Sequence, residues 1–313
     1  MIDASDIHTA RERIAKCIRR TPMVAMAHLQ SPPASDVPIF LKLECLQVTG
    51  SFKARGAMNA ALAVDRGRYA QGIVTASGGN HGLAVARTAY AMKVPATIFV
   101  PTGVSPAKVR KMKSWNAQVR IVGSQWDESN AAALDHAGST GAYYLHSFAD
   151  PLIVAGQGTL GLDILDDLPE LDTIVIAIGG GGLIAGMSTA IRSLRPSVRI
   201  IGVEPVGSPT LKASIDAGHC VTLADITTRV PTMACRRTDP RILEIVSRRV
   251  DDVVLVDDDE MQKASEWLWF EMGVAADLSG AASLAALRRG IPGIEDARNV
   301  CALVCGAGAE GTG

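Results

Sequence analysis

Two stretches of this chain carry residue types that can do chemistry. Gly179-Gly180-Gly181-Gly182 follows the apolar run Ile174–Ile178 and precedes a helix-like stretch that starts at Leu183. Consecutive glycines let the backbone curl until several N–H groups converge. The start of a helix adds partial positive charge, so such a loop can cradle a phosphate without Lys or Arg. A plain strand-to-helix turn needs fewer glycines, which favours an anion site. The second stretch is Thr49-Gly50-Ser51-Phe52-Lys53, which turns from the strand-like Leu41-Lys42-Leu43-Glu44 into a helix that Ser51 can cap. Lys53 then lies in the first helical turn, where the helix end disfavours a cation. An amine kept neutral in this way is nucleophilic and suited to forming a Schiff base. The plainer alternative is an exposed helix lysine.

The glycine loop admits a second reading. Gly180-x-Gly182-x-x-Ala185 fits the looser dinucleotide fingerprint, and Glu204 ends the next strand, near where a ribose-binding acid is expected. A nicotinamide-dependent dehydrogenase is therefore a rival, although the pattern lies in mid-chain rather than at a first strand-to-helix turn. A protein that binds a ligand without turnover is the non-enzyme alternative.

The elements that must position these loops alternate along the chain. Val- and Ile-rich runs predict strands at Ile39–Leu43, Ile73–Ala76, Ala96–Val100, Gln118–Val122, Ile174–Ile178, Val198–Val203, Asp252–Val256 and Val300–Val304. Helices are expected at Phe52–Asp65, Gly82–Met92, Pro106–Trp115, Trp126–Ala137, Leu183–Leu194, Asp258–Phe270 and Ser279–Arg289. This alternation predicts an α/β fold: a doubly wound, mostly parallel sheet with a second, smaller α/β domain inserted. The expected division is a large domain, 1–65 and 151–313, around a small one, 66–150. Ligands of such sheets sit beyond the carboxyl ends of the strands.

Composition narrows the class. The chain has 313 residues, 48% hydrophobic and only 4% aromatic, with 31 Lys+Arg against 32 Asp+Glu and a net charge of −1. That excludes a disordered polymer and gives no basic face for nucleic acid. None of the 6 cysteines forms a C-x-x-C pair, so a zinc site has no support. Met1–Ala10 is too polar for a secretory signal, and no apolar run reaches the about 20 residues of a membrane span. A cytoplasmic protein acting on a small molecule is expected, with no nucleic-acid or membrane partner.

The run Lys42-Leu43-Glu44-Cys45-Leu46-Gln47-Val48-Thr49-Gly50-Ser51-Phe52-Lys53-Ala54-Arg55-Gly56-Ala57 resembles the lysine motif of the threonine/serine dehydratases, fold type II pyridoxal-phosphate enzymes related to the tryptophan synthase β subunit. Thr21-Pro22, Ser77-Gly78-Gly79-Asn80-His81-Gly82, Gly156-Gln157-Gly158-Thr159 and the tetraglycine loop follow in the family's order. The resemblance implies that Lys53 carries pyridoxal 5′-phosphate and then removes the substrate Cα proton. It implies that Gly179, Gly180, Gly181 and Gly182 bind the phosphate, that Asn80 meets the pyridine 3′-oxygen, and that Phe52 packs beside the ring. Ser77, Gly78, Gly79, Asn80 and His81 would hold the substrate amino acid. Cys305, after the strand Val300–Val304, would face the pyridine nitrogen. A thiol does not protonate that nitrogen as an Asp would, which suits β-elimination of a threonine or serine hydroxyl to a keto acid and ammonia. A homodimer is implied as well.

Four departures from the family pattern bear on substrate. Serine racemases of the family place a Ser where this chain has Gly78, so elimination is expected over racemisation. Glu204, Ser208 and Thr210 match a metal-binding segment, but Thr210 stands where divalent-binding relatives have Asp, so K+ is the expected ion. The usual Glu-Pro-x-Gly-Ala reads Asp277-Leu278-Ser279-Gly280-Ala281. Finally, Arg229, Arg236, Arg237, Arg241 and Arg248 could bind an acidic substrate such as 3-hydroxyaspartate, or simply form a solvated face. The chain ends soon after Cys305, so the regulatory domain of biosynthetic threonine dehydratases is not expected.

Overall fold

The computed structural model describes residues 2–33 and 37–312. In chain order its elements are α1 (Ala4–Ile14), β1 (Met23–Ala25), β2 (Ile39–Leu43), α2 (Lys53–Ala63), β3 (Ile73–Ala76), α3 (Asn80–Met92), β4 (Ala96–Val100), α4 (Pro106–Ser114), β5 (Gln118–Ile121), α5 (Trp126–Thr140) and β6 (Tyr143–Tyr144). Then come α6 (Pro151–Asp167), β7 (Thr173–Ala177), α7 (Gly182–Leu194), β8 (Arg199–Pro205), α8 (Thr210–Ala217), α9 (Pro240–Arg249), β9 (Asp252–Val256), α10 (Asp258–Met272), α11 (Leu278–Arg289) and β10 (Val300–Val304).

The strands form two sheets. One has six strands in the order β1-β2-β10-β7-β8-β9, the other four in the order β5-β4-β3-β6. Every pairing is parallel except β1 with β2. The chain leaves the larger sheet after β2, builds the smaller one and returns at β7, and β2 ends up beside the last strand, β10. The fold is thus α/β with a smaller parallel α/β unit inserted, as the alternation of runs predicts. Strands β7 and β10 are buried along their whole length, which is why they read as unbroken apolar runs. No helix among the described residues is long and apolar enough to cross a membrane.

Helix α6 does the most to position the loops. Its residues are buried from Ile153 to Leu165, and its glycines bring neighbouring backbones close. A Cβ on Gly156 would sit 2.6 Å from the Gly56 Cα of α2, and a Cβ on Gly186 of α7 would sit 2.7 Å from Gly158 N. The helix that starts at Lys53 and the helix that follows the tetraglycine loop are therefore packed on the same spacer, at distances only glycine permits.

A charged cluster fastens the same region. Arg55 and Glu44 have no exposed side-chain surface and pair at 2.8 Å, and Arg55 also meets Asp163 at 2.8 Å. Thr21 donates to Glu44 at 2.6 Å, and the buried Lys42 donates to Asp167 at 2.6 Å. Arg11 and Arg20 close the outer side of this cluster on Asp163, Asp166 and Asp167.

One local expectation is corrected. Ser51 does not cap α2. Phe52 occupies the capping position and no side chain bonds there. Ser51 is extended (φ −163°, ψ 160°) and bridges Gly306, while Phe52 N donates to Cys305 O at 3.2 Å. The turn before Lys53 is held by the end of β10, so the Ser51 backbone is committed to that strand rather than to the helix. Asp150, at the return to the larger sheet, caps α6 by accepting from Leu152 N at 2.7 Å.

Candidate active site

The loops after β2, β3, β6, β7 and β10 converge at the carboxyl ends of the two sheets. Lys53, the first residue of α2, is half-buried, and its Nζ donates to Ser147 O at 2.7 Å. Burial lowers its pKa to about 8, against smaller raising effects of Cys305 and Cys235. The lowered basicity matches the expectation, but desolvation is its largest cause rather than the helix end. The Phe52 ring centroid lies 5.2 Å from Nζ.

The tetraglycine loop opens α7 with Gly181 as N-cap in the left-handed region (φ 90°), and no side chain caps the helix. Its backbone N–H groups are thus left for an anion. On the other side the loop has no room. A Cβ on Gly180 would lie 2.3 Å from the Phe148 ring, on Gly182 2.5 Å from Phe148 O, and on Gly179 2.8 Å from Thr232 O. The run of glycines has a packing cause as well as an electrostatic one. Phe148 and Thr232 are distant in sequence, and no local pattern announces them.

Asn80 and His81 open α3, behind Gly79, again without a side-chain cap. Ser77 Oγ accepts from Gly79 N at 3.3 Å. His81 Nε2 lies 3.3 Å from Leu145 O, and Nδ1 is buried without a partner among the described residues. Burial, with help from the Lys53 charge, drives the His81 pKa to about 3, so the ring is neutral at physiological pH. A Cβ on Gly78 would meet Val104 Cγ2 at 2.9 Å, and one on Gly79 would meet Thr232 Cγ2 at 3.4 Å. Thr232 therefore stands between the substrate loop and the tetraglycine loop.

At the end of β10, Cys305 is buried and its Sγ donates to Ser279 O at 3.3 Å. Burial and then the Asp277 charge push the thiol pKa upward, so Cys305 is an S–H rather than a thiolate. Asn80 Nδ2 donates to Asp277 Oδ2 at 2.8 Å. The structure brings Lys53, Phe52, Ser77 to His81, Gly179 to Gly182 and Cys305 to one side of the sheets. It adds Ser147, Phe148, Thr232 and Asp277, of which only Asp277 stood out in the sequence.

Glu204, Ser208 and Thr210 form a separate group. Both Glu204 carboxylate oxygens accept backbone N–H groups of α8, from Leu211 and Lys212, each at 2.8 Å. Burial still lifts its pKa to about 7. Ser208 donates to Cys235 O at 3.1 Å, and Thr210 donates to the same oxygen. No group of three or more His, Cys, Asp or Glu side chains able to hold a metal occurs among the described residues.

The five arginines are all exposed, and each already has a partner. Arg229 pairs with Asp259, Arg241 with Asp239 and Arg248 with Glu244. Arg236 donates to the carbonyls of Leu223 and Ala224, and Arg237 to that of Cys220. They form a solvated face.

Comparison with known proteins shows the chain's relatives. The family described as pyridoxal-phosphate dependent enzyme matches residues 14–306. An L-threonine ammonia-lyase of Geobacter sulfurreducens is 39% identical over 287 residues, covering 92% of this chain and 71% of the relative. A serine racemase of Arabidopsis thaliana is 34% identical over 317 residues, covering 98% and 93%. The solved structure of maize serine racemase superposes with a TM-score of 0.93 at 31% identity, over 97% of this chain and 93% of that one.

Proposed function

The chain belongs to the pyridoxal-phosphate-dependent enzyme family, and we propose that it is an ammonia-lyase that converts threonine or serine to a keto acid and ammonia. The observation that carries this reading is Lys53, a half-buried amine with its pKa lowered to about 8, set where the glycine loop, the substrate loop and Cys305 meet. The cofactor fits the residues present. Uncapped N–H groups of α7 suit its phosphate, the Cys305 S–H suits a neutral ring nitrogen, and the buried Ser51 Oγ and His81 Nδ1 lack partners among the described residues. Bound there, pyridoxal phosphate supplies an electron sink for negative charge at the substrate α-carbon.

The residues then divide the remaining work. Gly179 to Gly182 would hold the phosphate by backbone N–H groups, Asn80 would donate to the ring oxygen, and Phe52 would pack beside the ring. The start of α3, with Ser77, Gly78, Gly79, Asn80 and His81, binds the substrate carboxylate by the helix-terminus effect. Lys53 Nζ takes the α-proton, and its low basicity lets it give that proton up again near neutral pH. Neutral His81 adds no charge to compete with this transfer.

Two observations favour a short, uncharged β-hydroxy substrate and elimination. The five arginines that would suit 3-hydroxyaspartate are paired at the surface. Gly78 offers no second base, and Val104 fills the space a side chain would need. We further propose a K+ at Glu204, Ser208 and Thr210, a cytoplasmic homodimer, and a division into 1–65 with 151–313 and 66–150. The test is the visible spectrum of protein loaded with pyridoxal phosphate, before and after threonine, serine or 3-hydroxyaspartate, with keto acid measured alongside. Keto acid from threonine or serine supports the reading, and a protein that takes up the cofactor yet is inert to all three amino acids refutes it.

A further inference from the structure

Asp277 is 3% exposed, and no role assigned above uses its carboxylate. Oδ1 accepts from Ser279 Oγ at 2.6 Å and from Gly280 N at 2.7 Å, which caps α11. Oδ2 accepts from Asn80 Nδ2 at 2.8 Å. This last bond joins α3 of the inserted unit to α11 of the larger one. A carboxylate in a dry site is costly unless its lone pairs are filled, so its three donors are strongly specified. The backbone closes over the pair. A Cβ on Gly306 would fall 2.6 Å from Asp277 Oδ2 and 2.9 Å from Asn80 Nδ2, and one on Gly308 would fall 2.7 Å from Asp277 Cβ.

An ionised carboxylate only accepts, so it selects the nitrogen of the Asn80 amide and not its oxygen. The remaining Asn80 N–H and Oδ1 are thereby assigned their directions. We propose that Asp277 is a positioning residue, which fixes the Asn80 amide so that its free N–H points at the ring oxygen of the cofactor. This rests on the reading of Asn80 given under Proposed function.

Asp277→Asn and Asp277→Ser both keep a residue that caps helices well, so α11 retains its start. Neither keeps the charge. In Asp277→Asn the new amide nitrogen meets that of Asn80, and Asn80 must turn over. In Asp277→Ser the hydroxyl is too short to reach it. Cofactor-free protein is titrated with pyridoxal phosphate and followed by visible absorption, in both variants and again with Asn80→Ala added. Each single variant at 277 is expected to bind about 10- to 100-fold more weakly, as for a lost hydrogen bond to a charged group. The pH midpoint of the visible band is expected to move with it. In the Asn80→Ala background a change at 277 is expected to add little, because its route of action is gone. Wild-type affinity and spectrum in both 277 variants overturn the proposal, as does an undiminished effect in the Asn80→Ala background. A wild-type protein that takes up no cofactor overturns the reading beneath it as well, and so is a distinguishable failure.

Discussion

The Glu44–Arg55 pair sits just before and just after Lys53, and breaking it tests what holds that lysine in place. Both side chains are fully buried, so solvent does not screen the pair. Arg55→Met removes the guanidinium from Glu44, Asp163 and Thr159 together. Burial raises the Glu44 pKa, but the Arg55 charge and hydrogen bond, with Thr21, overcome it and leave the carboxyl below its usual range. Without Arg55 only the Thr21 hydrogen bond and the Lys42 charge remain to oppose burial. A buried pair that loses one partner costs about 3–5 kcal/mol, because a charge is left uncompensated. Glu44→Leu with Arg55→Met removes both charges and should recover much of that loss, although Asp163 must then rely on Arg11 and Arg20. The assay is urea unfolding at neutral pH of wild type, both single variants and the double. Because the folded carboxyl is more acidic than the unfolded one, this stabilisation is present above the ordinary carboxylate range and lost as pH falls below it. Single variants within about 1 kcal/mol of wild type, or a double variant as costly as the two losses added, would show that the pair does not hold this region together.

Three other outcomes follow from the same geometry. Gly180→Ala places a methyl against the Phe148 ring and should cost about 1–3 kcal/mol, with weaker cofactor binding, measured by thermal unfolding and cofactor titration. The rate at which cofactor-free protein captures pyridoxal phosphate needs the neutral Lys53 amine, so it should rise about tenfold per pH unit below about 8 and level off above it, and a rate flat from pH 6 to 9 would contradict the lowered pKa. Gly78→Ser alone should yield no racemase activity, because Val104 occupies the space, whereas Gly78→Ser with Val104→Ala should show some D-serine from L-serine by chiral chromatography.

Strands were legible where both faces are buried. Ile39–Leu43, Ile73–Ala76, Ala96–Val100 and Val300–Val304 begin and end where their apolar runs do, and the partly exposed edge strand Asp252–Val256 was found from its Val and Leu residues alone. Helix α6 was not, because Gly156, Gly158 and Gly161 argue against a helix unless neighbouring backbones need that space. Short β1 and β6 carry too few residues for a pattern, and α1 is largely polar with one buried stripe. Within the site, Lys53 and the glycine loop were legible because their chemistry needs local backbone. The contacts that shape them were not. Phe148 against Gly180 and Asp277 against Asn80 join residues that only the tertiary fold brings together. Ser51 misled for a related reason: its sequence suits a cap, but pairing with Gly306 claimed its backbone first.

In the proposed function, Lys53 is the group through which this protein binds its cofactor and moves the substrate proton. The most direct measurement is the visible absorption of purified protein incubated with pyridoxal phosphate, wild type beside Lys53→Ala, before and after threonine. The expected result is a yellow wild type whose band changes as keto acid appears, and a Lys53→Ala protein with neither the covalent band nor keto acid. A Lys53→Ala protein that keeps the band and forms keto acid would contradict it.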